Sequence, residues 1–211
     1  MRLLRRSPSR RFQLGEQFCP RLPRVATCPV DTRVADVTAL PFPDAAFDGL
    51  WCAAVTAYLS DAQLLAAFRE FRRVVRPGGL IAVKEYDSTA LHFDPLPNAM
   101  IWRWLQATES TESTTEVTEF PVIFRSLGLE HVFAYTVIGE RRNPLTPIER
   151  QYYRIIFPVL SAHALKLDLP AEDHERWRVL MDVDHPNHIL QHEDFRLREG
   201  STVVVGRVPA R

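Results

Sequence analysis

The chain has 211 residues, 46% of them hydrophobic and 25% charged, which suits one soluble α/β domain with a full core. Lys+Arg and Asp+Glu both number 26, so the balanced charge gives no overall pull towards nucleic acid or an anionic membrane. No apolar run approaches the roughly 20 residues that a membrane-spanning helix needs.

Charge is uneven along the chain. Residues 1–33 hold eight arginines against only Glu16 and Asp31. Residues 1–24 show neither helical nor strand periodicity, and Pro8, Pro20 and Pro23 interrupt them. An Arg-rich, acid-poor start can mark an organellar leader, but these prolines break the amphipathic helix a leader wants. A basic arm on nucleic acid lacks aromatic interleaving. The preferred reading of residues 1–30 is a divergent, basic and partly disordered N-terminus. Cys19, Cys28 and Cys52 have no CxxC spacing and leave one thiol unpaired in any disulfide scheme. Free structural thiols in a reducing cytoplasm fit best.

From position 32 to 37 a short strand is expected, with Asp36 at its end. Leu40-Pro41-Phe42-Pro43-Asp44 makes a proline-stiffened turn. Residues 47–55 (FDGLWCAAV) are nearly all apolar, as in a central strand buried on both faces. Ser60 and Gln63 form a capping-box pair that opens a helix, and Leu64, Phe68, Phe71 and Val75 recur along one helical face. Arg72, Arg73 and Arg76 crowd its last turn, where the helix dipole favours cations. Pro77-Gly78-Gly79 stops it before a buried strand opening at residues 80–83 (LIAV). Strand, helix and strand of these lengths make a parallel crossover.

Further on, residues 108–119 are polar and low in complexity, and read as a solvated loop or frayed helix end. Residues 120–127, closed by Gly128, read as a short helix, and 129–138 as a strand. Residues 146–181 carry two helical patterns parted near Pro170, expected to form a lid or insertion (146–185). At the end, 195–197 and 202–208 flank Arg198-Glu199-Gly200-Ser201, a plausible hairpin turn. The domain reading is one unit over 31–211.

In an open parallel sheet, ligands sit outside the carboxyl ends of the strands. Asp36, then Cys52-Ala53-Ala54, then Glu85-Tyr86-Asp87 fall at that edge. Each has a plain alternative. Asp36 can start an Asx turn, Ala53 can be small for helix packing, and Glu85 and Asp87 can be solvated loop carboxylates. A separate cluster, Asp182, Asp184, His185, His188, His192 and Glu193, holds metal-ligand types. A polar helix start with histidines on its solvated side explains it better, and no metal is expected.

DVTALPFPDAAFD followed by REFRRVVRPGGLIAV resembles the class I S-adenosylmethionine-dependent methyltransferases of quinone and small-molecule methylation. The resemblance implies a Rossmann-like, mostly parallel α/β sheet with flanking helices. It implies S-adenosyl-L-methionine as cofactor, held by Asp36, Val37 and Ala53, and a small-molecule acceptor facing Glu85, Tyr86, Asp87 and His92. No catalytic residue is assigned; alignment and desolvation supply most of the rate in methyl transfer, and Glu85, Asp87 and His92 are the nearest bases. Nucleic acid and membrane are not expected partners. The departure lies ahead of residue 30. The family places two more strands between its third and fourth, the first ending in a Gly-x-Gly turn where any side chain would collide. Gly15 is the sole glycine before Gly49, so the sheet reads as N-terminally incomplete. The apolar strand at 47–55 then needs residues 1–30, the 32–37 strand or a second copy in a homodimer to cover its edge. Two rivals follow: a truncated, cofactor-free remnant that is a binding module or inactive, and a dehydrogenase, which also needs the missing glycines.

Overall fold

The structure, a computed structural model, describes residues 2–4, 11–14, 30–109 and 115–210, with side chains described over 33–108 and 115–210. Its strands are β1 (Arg2–Leu4), β2 (Arg11–Leu14), β3 (Val30–Arg33), β4 (Phe47–Ala53), β5 (Val75–Asp94), β6 (Glu130–Arg142) and β7 (Arg196–Arg207). Its α-helices are α1 (Asp61–Val74), α2 (Asn98–Glu109), α3 (Phe120–Ser126), α4 (Pro147–Ala164) and α5 (Ala171–Met181). The chain forms two compact units. The first is Met1–Tyr86, Glu112–Thr136 and Ser201–Arg211; the second is Asp87–Thr111 and Val137–Gly200.

The sheet has strand order β3-β2-β1-β4-β5-β7-β6; the first unit, the expected α/β layer, holds β1–β4, α1 and α3 with parts of β5, β6 and β7. β4 and β5 pair in parallel, Leu50 opposite Ile81 and Cys52 opposite Val83, joined by α1 as a crossover. Ser60 caps α1: its Oγ accepts from Gln63 N, and the Gln63 side chain accepts from Ser60 N. Leu64, Phe68 and Phe71 bury, and Phe68 meets Phe120 and Phe124 of α3 edge-on at centroid distances of 5.1 and 5.2 Å. Such edge-to-face pairs add to plain burial. α3 ends in a Schellman motif: Leu129 N bonds Phe124 O, and Gly128 N bonds Arg125 O, with Gly128 at φ +74°.

The LPFPD turn is latched onto α1. Arg73 Nη1 donates to Phe42 O at 2.7 Å and Asp44 Oδ1 at 2.8 Å, while Nη2 donates to Leu40 O at 3.0 Å and Glu70 Oε2 at 2.7 Å. Glu70 Oε2 in turn accepts from Leu40 N. The spacing between the proline turn and the arginine-rich helix is therefore a structural coupling, whatever the site does.

Three expectations about the strands change. The question of what covers β4 is answered by β1, which pairs antiparallel with it, Arg2 opposite Trp51 and Leu4 opposite Gly49. β1 also pairs antiparallel with β2, and β2 pairs parallel with β3. Two strands thus occupy the slot that looked empty, although residues 1–24 show no strand periodicity; strand propensity is a property of context more than of local sequence. The early strand is Val30–Arg33, so Asp36 lies beyond its end, not on it. The turn expected at residues 198–201 is absent, and β7 runs straight through. A Cβ on Gly200 would meet Ala90 Cβ at 2.7 Å and Asp87 Cβ at 3.1 Å, so this glycine marks a close approach of strands instead of a bend. β7 runs against β5: Gly78 N bonds Val208 O and Val208 N bonds Gly79 O.

In the second unit, α2, α4 and α5 bury Met100, Trp104, Tyr153, Phe157, Trp177 and Met181 with Phe93 and Phe195. Thr146 and Glu149 form a capping box at the start of α4, with Pro147 in its first turn. Arg103 grips the buried Asp173 with two bonds, Nε to Oδ2 at 2.6 Å and Nη2 to Oδ1 at 2.7 Å. Residues 146–185, read as a lid within one domain, belong to this unit. Among the described residues no helix is long and apolar enough to cross a membrane. The leader and basic-arm readings of residues 1–24, and Cys19 and Cys28, fall largely or wholly outside the described residues; Cys52 is a free, buried thiol.

Candidate functional site

β2 lies antiparallel to β1, and β1 antiparallel to β4. β2, β3, β4 and β5 therefore run the same way, and their carboxyl ends share one edge of the first unit. That is where an open α/β sheet binds ligands. β2 ends at Leu14, which the sequence follows with Gly15.

Asp36 sits in the loop after β3, exposed. Its Oδ1 accepts from Thr38 N at 2.8 Å and Thr38 Oγ1 at 2.7 Å, an Asx turn whose hydrogen bonds hold the carboxyl below its usual range. Val37 packs against the core of the unit. Ala53 closes β4 opposite Lys84, and the next residue, Ala54, adopts φ +53°. A non-glycine residue there is a costly conformation that its surroundings must impose.

The imposing group is Glu85. It is 4% exposed, and its Oε1 accepts from Val55 N at 2.9 Å, Thr56 N at 2.7 Å and Thr56 Oγ1 at 2.7 Å. One carboxylate oxygen thereby fixes the chain leaving β4. The reading of residues 85–87 as a post-strand loop is corrected: β5 continues to Asp94, and Ile81, Val83, Glu85 and Asp87 alternate on one buried face. That unbroken period of two was in the sequence, and would have revealed the strand had charge not been taken as a loop signal. Tyr86, on the other face, is 41% exposed. Thr56 and Lys84 are the participants that sequence reading missed. Cys52, beside Ala53, is buried, and burial pushes its thiol up to about 12; it is no nucleophile.

Asp87 and His92 belong to the second unit, apart from the residues just described in chain organisation. Asp87 is buried and accepts from Thr89 Oγ1 at 2.5 Å and Thr89 N at 3.2 Å. His92 Nε2 lies 2.9 Å from Asp94 Oδ1, whose other oxygen accepts from Arg196 Nε at 2.6 Å. Burial raises the Asp94 carboxyl, but Arg196 and His92 outweigh it and hold it low. The metal-ligand types near the C-terminus do not converge: among the described residues no three His, Cys, Asp or Glu could hold an ion together. His188 and His192 flank a 3-10 turn (Ile189–Gln191), and His188 is buried with Nδ1 accepting from Leu190 N.

Residues 14–83 match the family model described as a methyltransferase domain. The match begins at the last residue of β2 and ends in β5, so it takes in the carboxyl ends of β2, β3 and β4. That segment, about a third of the chain, is similar to this methyltransferase domain. The chain is 23% identical over 158 residues to methyltransferase GfsG of Streptomyces halstedii, covering 74% of this chain and 53% of that protein; it spans about half the length of this relative. Among solved structures, YcgJ of Bacillus subtilis is 14% identical, with a TM-score of 0.48 and coverage of 86% of this chain and 72% of that one. A Haemonchus contortus phosphoethanolamine N-methyltransferase 2 in complex with S-adenosyl-L-methionine is also 14% identical, with a TM-score of 0.44 and coverage of 85% and 37%. S-adenosyl-L-methionine is the cofactor of the methyltransferase family that the segment matches.

How well the residues suit that group can be tested at the edge itself. Asp36 stands exposed in its Asx turn, and the small Ala53 is half-buried at the end of β4. The described residues contain no Gly-x-Gly cradle at this edge, and the strand beside β4 presents its amino end there, Arg2 opposite Trp51.

Proposed function

We propose that the chain binds S-adenosyl-L-methionine at the shared carboxyl edge of the first unit and transfers its methyl group to a small-molecule acceptor in the cytoplasm. The observation that carries this is the coincidence of the family match, residues 14–83, with the strands whose carboxyl ends meet there. Asp36 and the Val37 backbone would hold the adenosine, and Ala53 would leave space beside it. The bound sulfonium supplies an already activated methyl group, so the chain's task is to orient the acceptor and exclude water. Tyr86 is the acceptor-side candidate in this unit. Glu85 serves by fixing the loop after β4, and Asp87 and His92 are engaged within the second unit. A homodimer has no bare β4 edge to cover, because β1 occupies it.

The second reading is a remnant without cofactor, acting as a binding module. It is favoured by the reversed β1, whose direction differs from the strand the family places beside β4. S-adenosylhomocysteine separates the two. A native-state ligand at a hundred times its Kd adds about 2.7 kcal/mol to stability, a clear rise in Tm. Asp36→Ala and Ala53→Leu are expected to reduce that rise. An unchanged Tm at saturating ligand selects the remnant.

A further inference from the structure

The opposite edge of the first unit carries a cleft of about 670 Å³, within the range of small-molecule sites. It lies at the amino ends of β4 and β5 and the far end of β7, so it shares no residue with the edge around Asp36, Ala53 and Glu85. Arg69, Arg72 and Arg73 form one wall, and Val75, Leu127 and Val208 are among its apolar residues.

The three arginines stand at i, i+3 and i+4 of α1 and so share a helical face. Their circumstances differ. Arg73 is committed to Glu70, Asp44 and the proline turn. That contact also neutralises Asp44, the carboxylate lining the cleft. Arg69 and Arg72 are exposed and have no hydrogen-bond or ion-pair partner among the described residues. The plain explanation for cations here is the negative end of the helix dipole. It accounts for Arg72 as well as Arg73, both in the last turn of α1, but not for Arg69. Arg69 is a full turn further back. Arg69 and Arg72 together offer two unpaired guanidinium forks, which suit phosphate or carboxylate oxygens, beside an apolar wall.

We propose that this cleft binds a small organic anion, an aromatic or aliphatic phosphate or carboxylate, with its head on Arg69 and Arg72 and its apolar body along Leu127 and Val208. The site is independent of the cofactor edge.

Phenyl phosphate, titrated calorimetrically into the whole chain at low salt, is the probe. Saturable binding is expected, weaker for inorganic phosphate, which lacks the apolar body. Each lost fork costs about tenfold in affinity, so Arg69→Gln/Arg72→Gln binds about a hundredfold more weakly. Arg69→Lys/Arg72→Lys keeps the charge without the fork and falls between. The glutamine variant keeps its Tm and far-ultraviolet spectrum and its response to S-adenosylhomocysteine, which separates this site from the one above. Arg176→Gln, on the exposed face of α5, leaves binding unchanged. The proposal is overturned by no saturable heat at millimolar phenyl phosphate, by equal affinity in the glutamine variant, or by equal loss in Arg176→Gln. Inorganic phosphate binding as tightly as phenyl phosphate removes the organic class.

Discussion

The two units treat buried polar atoms differently. In the first, the buried Glu85 gathers two amides and a hydroxyl. In the second, Trp104 Nε1, Trp177 Nε1, His188 Nε2 and Asn143 Oδ1 are all buried with no hydrogen-bond partner among the described residues. The second unit also leaves Ile148, Tyr152, Ile155 and Val159 exposed along α4. A buried polar group without a partner costs more than a hydrogen bond gains. Exposed apolar side chains occur in the first unit too, among them Val34, Tyr58 and Val122, so the contrast lies in the buried polar atoms.

Four substitutions test that contrast. The largest effect belongs to Phe68→Ala, which removes the ring joining α1 to α3 and costs about 3–5 kcal/mol; chemical denaturation measures it, and a loss below 1 kcal/mol would deny the first unit its tight core. Next comes Glu85→Ala, which leaves the Val55 and Thr56 donors unpaired at about 1–3 kcal/mol. Glu85→Gln, keeping an acceptor oxygen, is expected to lose less. Equal losses would show that the carboxylate's negative charge, not a neutral acceptor of the same shape, fixes the loop. The smallest effect concerns pH. Burial, with Arg154 and Arg150 adding repulsion, lowers the pKa of His188 below its ordinary 6.5. The folded state then binds this proton less readily than the unfolded one, so the stability due to neutral His188 is full above 6.5. It is lost as pH falls through that value towards the folded pKa. His188→Gln should flatten stability against pH across this window, and an unaltered slope would clear the histidine.

Local rules carried the first unit far. Ser60 and Gln63, the run of Leu64, Phe68 and Phe71, and Gly128 each sit where short-range physics put them, since capping and periodicity need only neighbours in sequence. What escaped was decided at long range. Glu85 looks like a loop acid until the amides of Val55 and Thr56 are brought to it. Gly200 looks like a turn until Ala90 lies against it. The strand character of residues 2–4 comes from β4, not from their own side chains. Of the candidate edge, the end of β4 at Ala53 was legible, whereas the early stop of β3 at Arg33, ahead of Asp36, and the engagement of Asp87 and His92 within another unit were not. The arginine cleft was hidden because Arg72 and Arg73 look alike in sequence, and only the fold shows that one is bound and the other is not.

The pairing of β5 has a consequence for how the chain is made. On one side β5 meets β4 through a short crossover, and Leu50 can find Ile81 soon after both leave the ribosome. On its other side Gly78 and Gly79 wait for Val208, which follows far later in the chain. Contacts so far apart close slowly. Until β7 forms, the nascent protein therefore shows a raw flank of β5, open to pairing with a strand of another molecule.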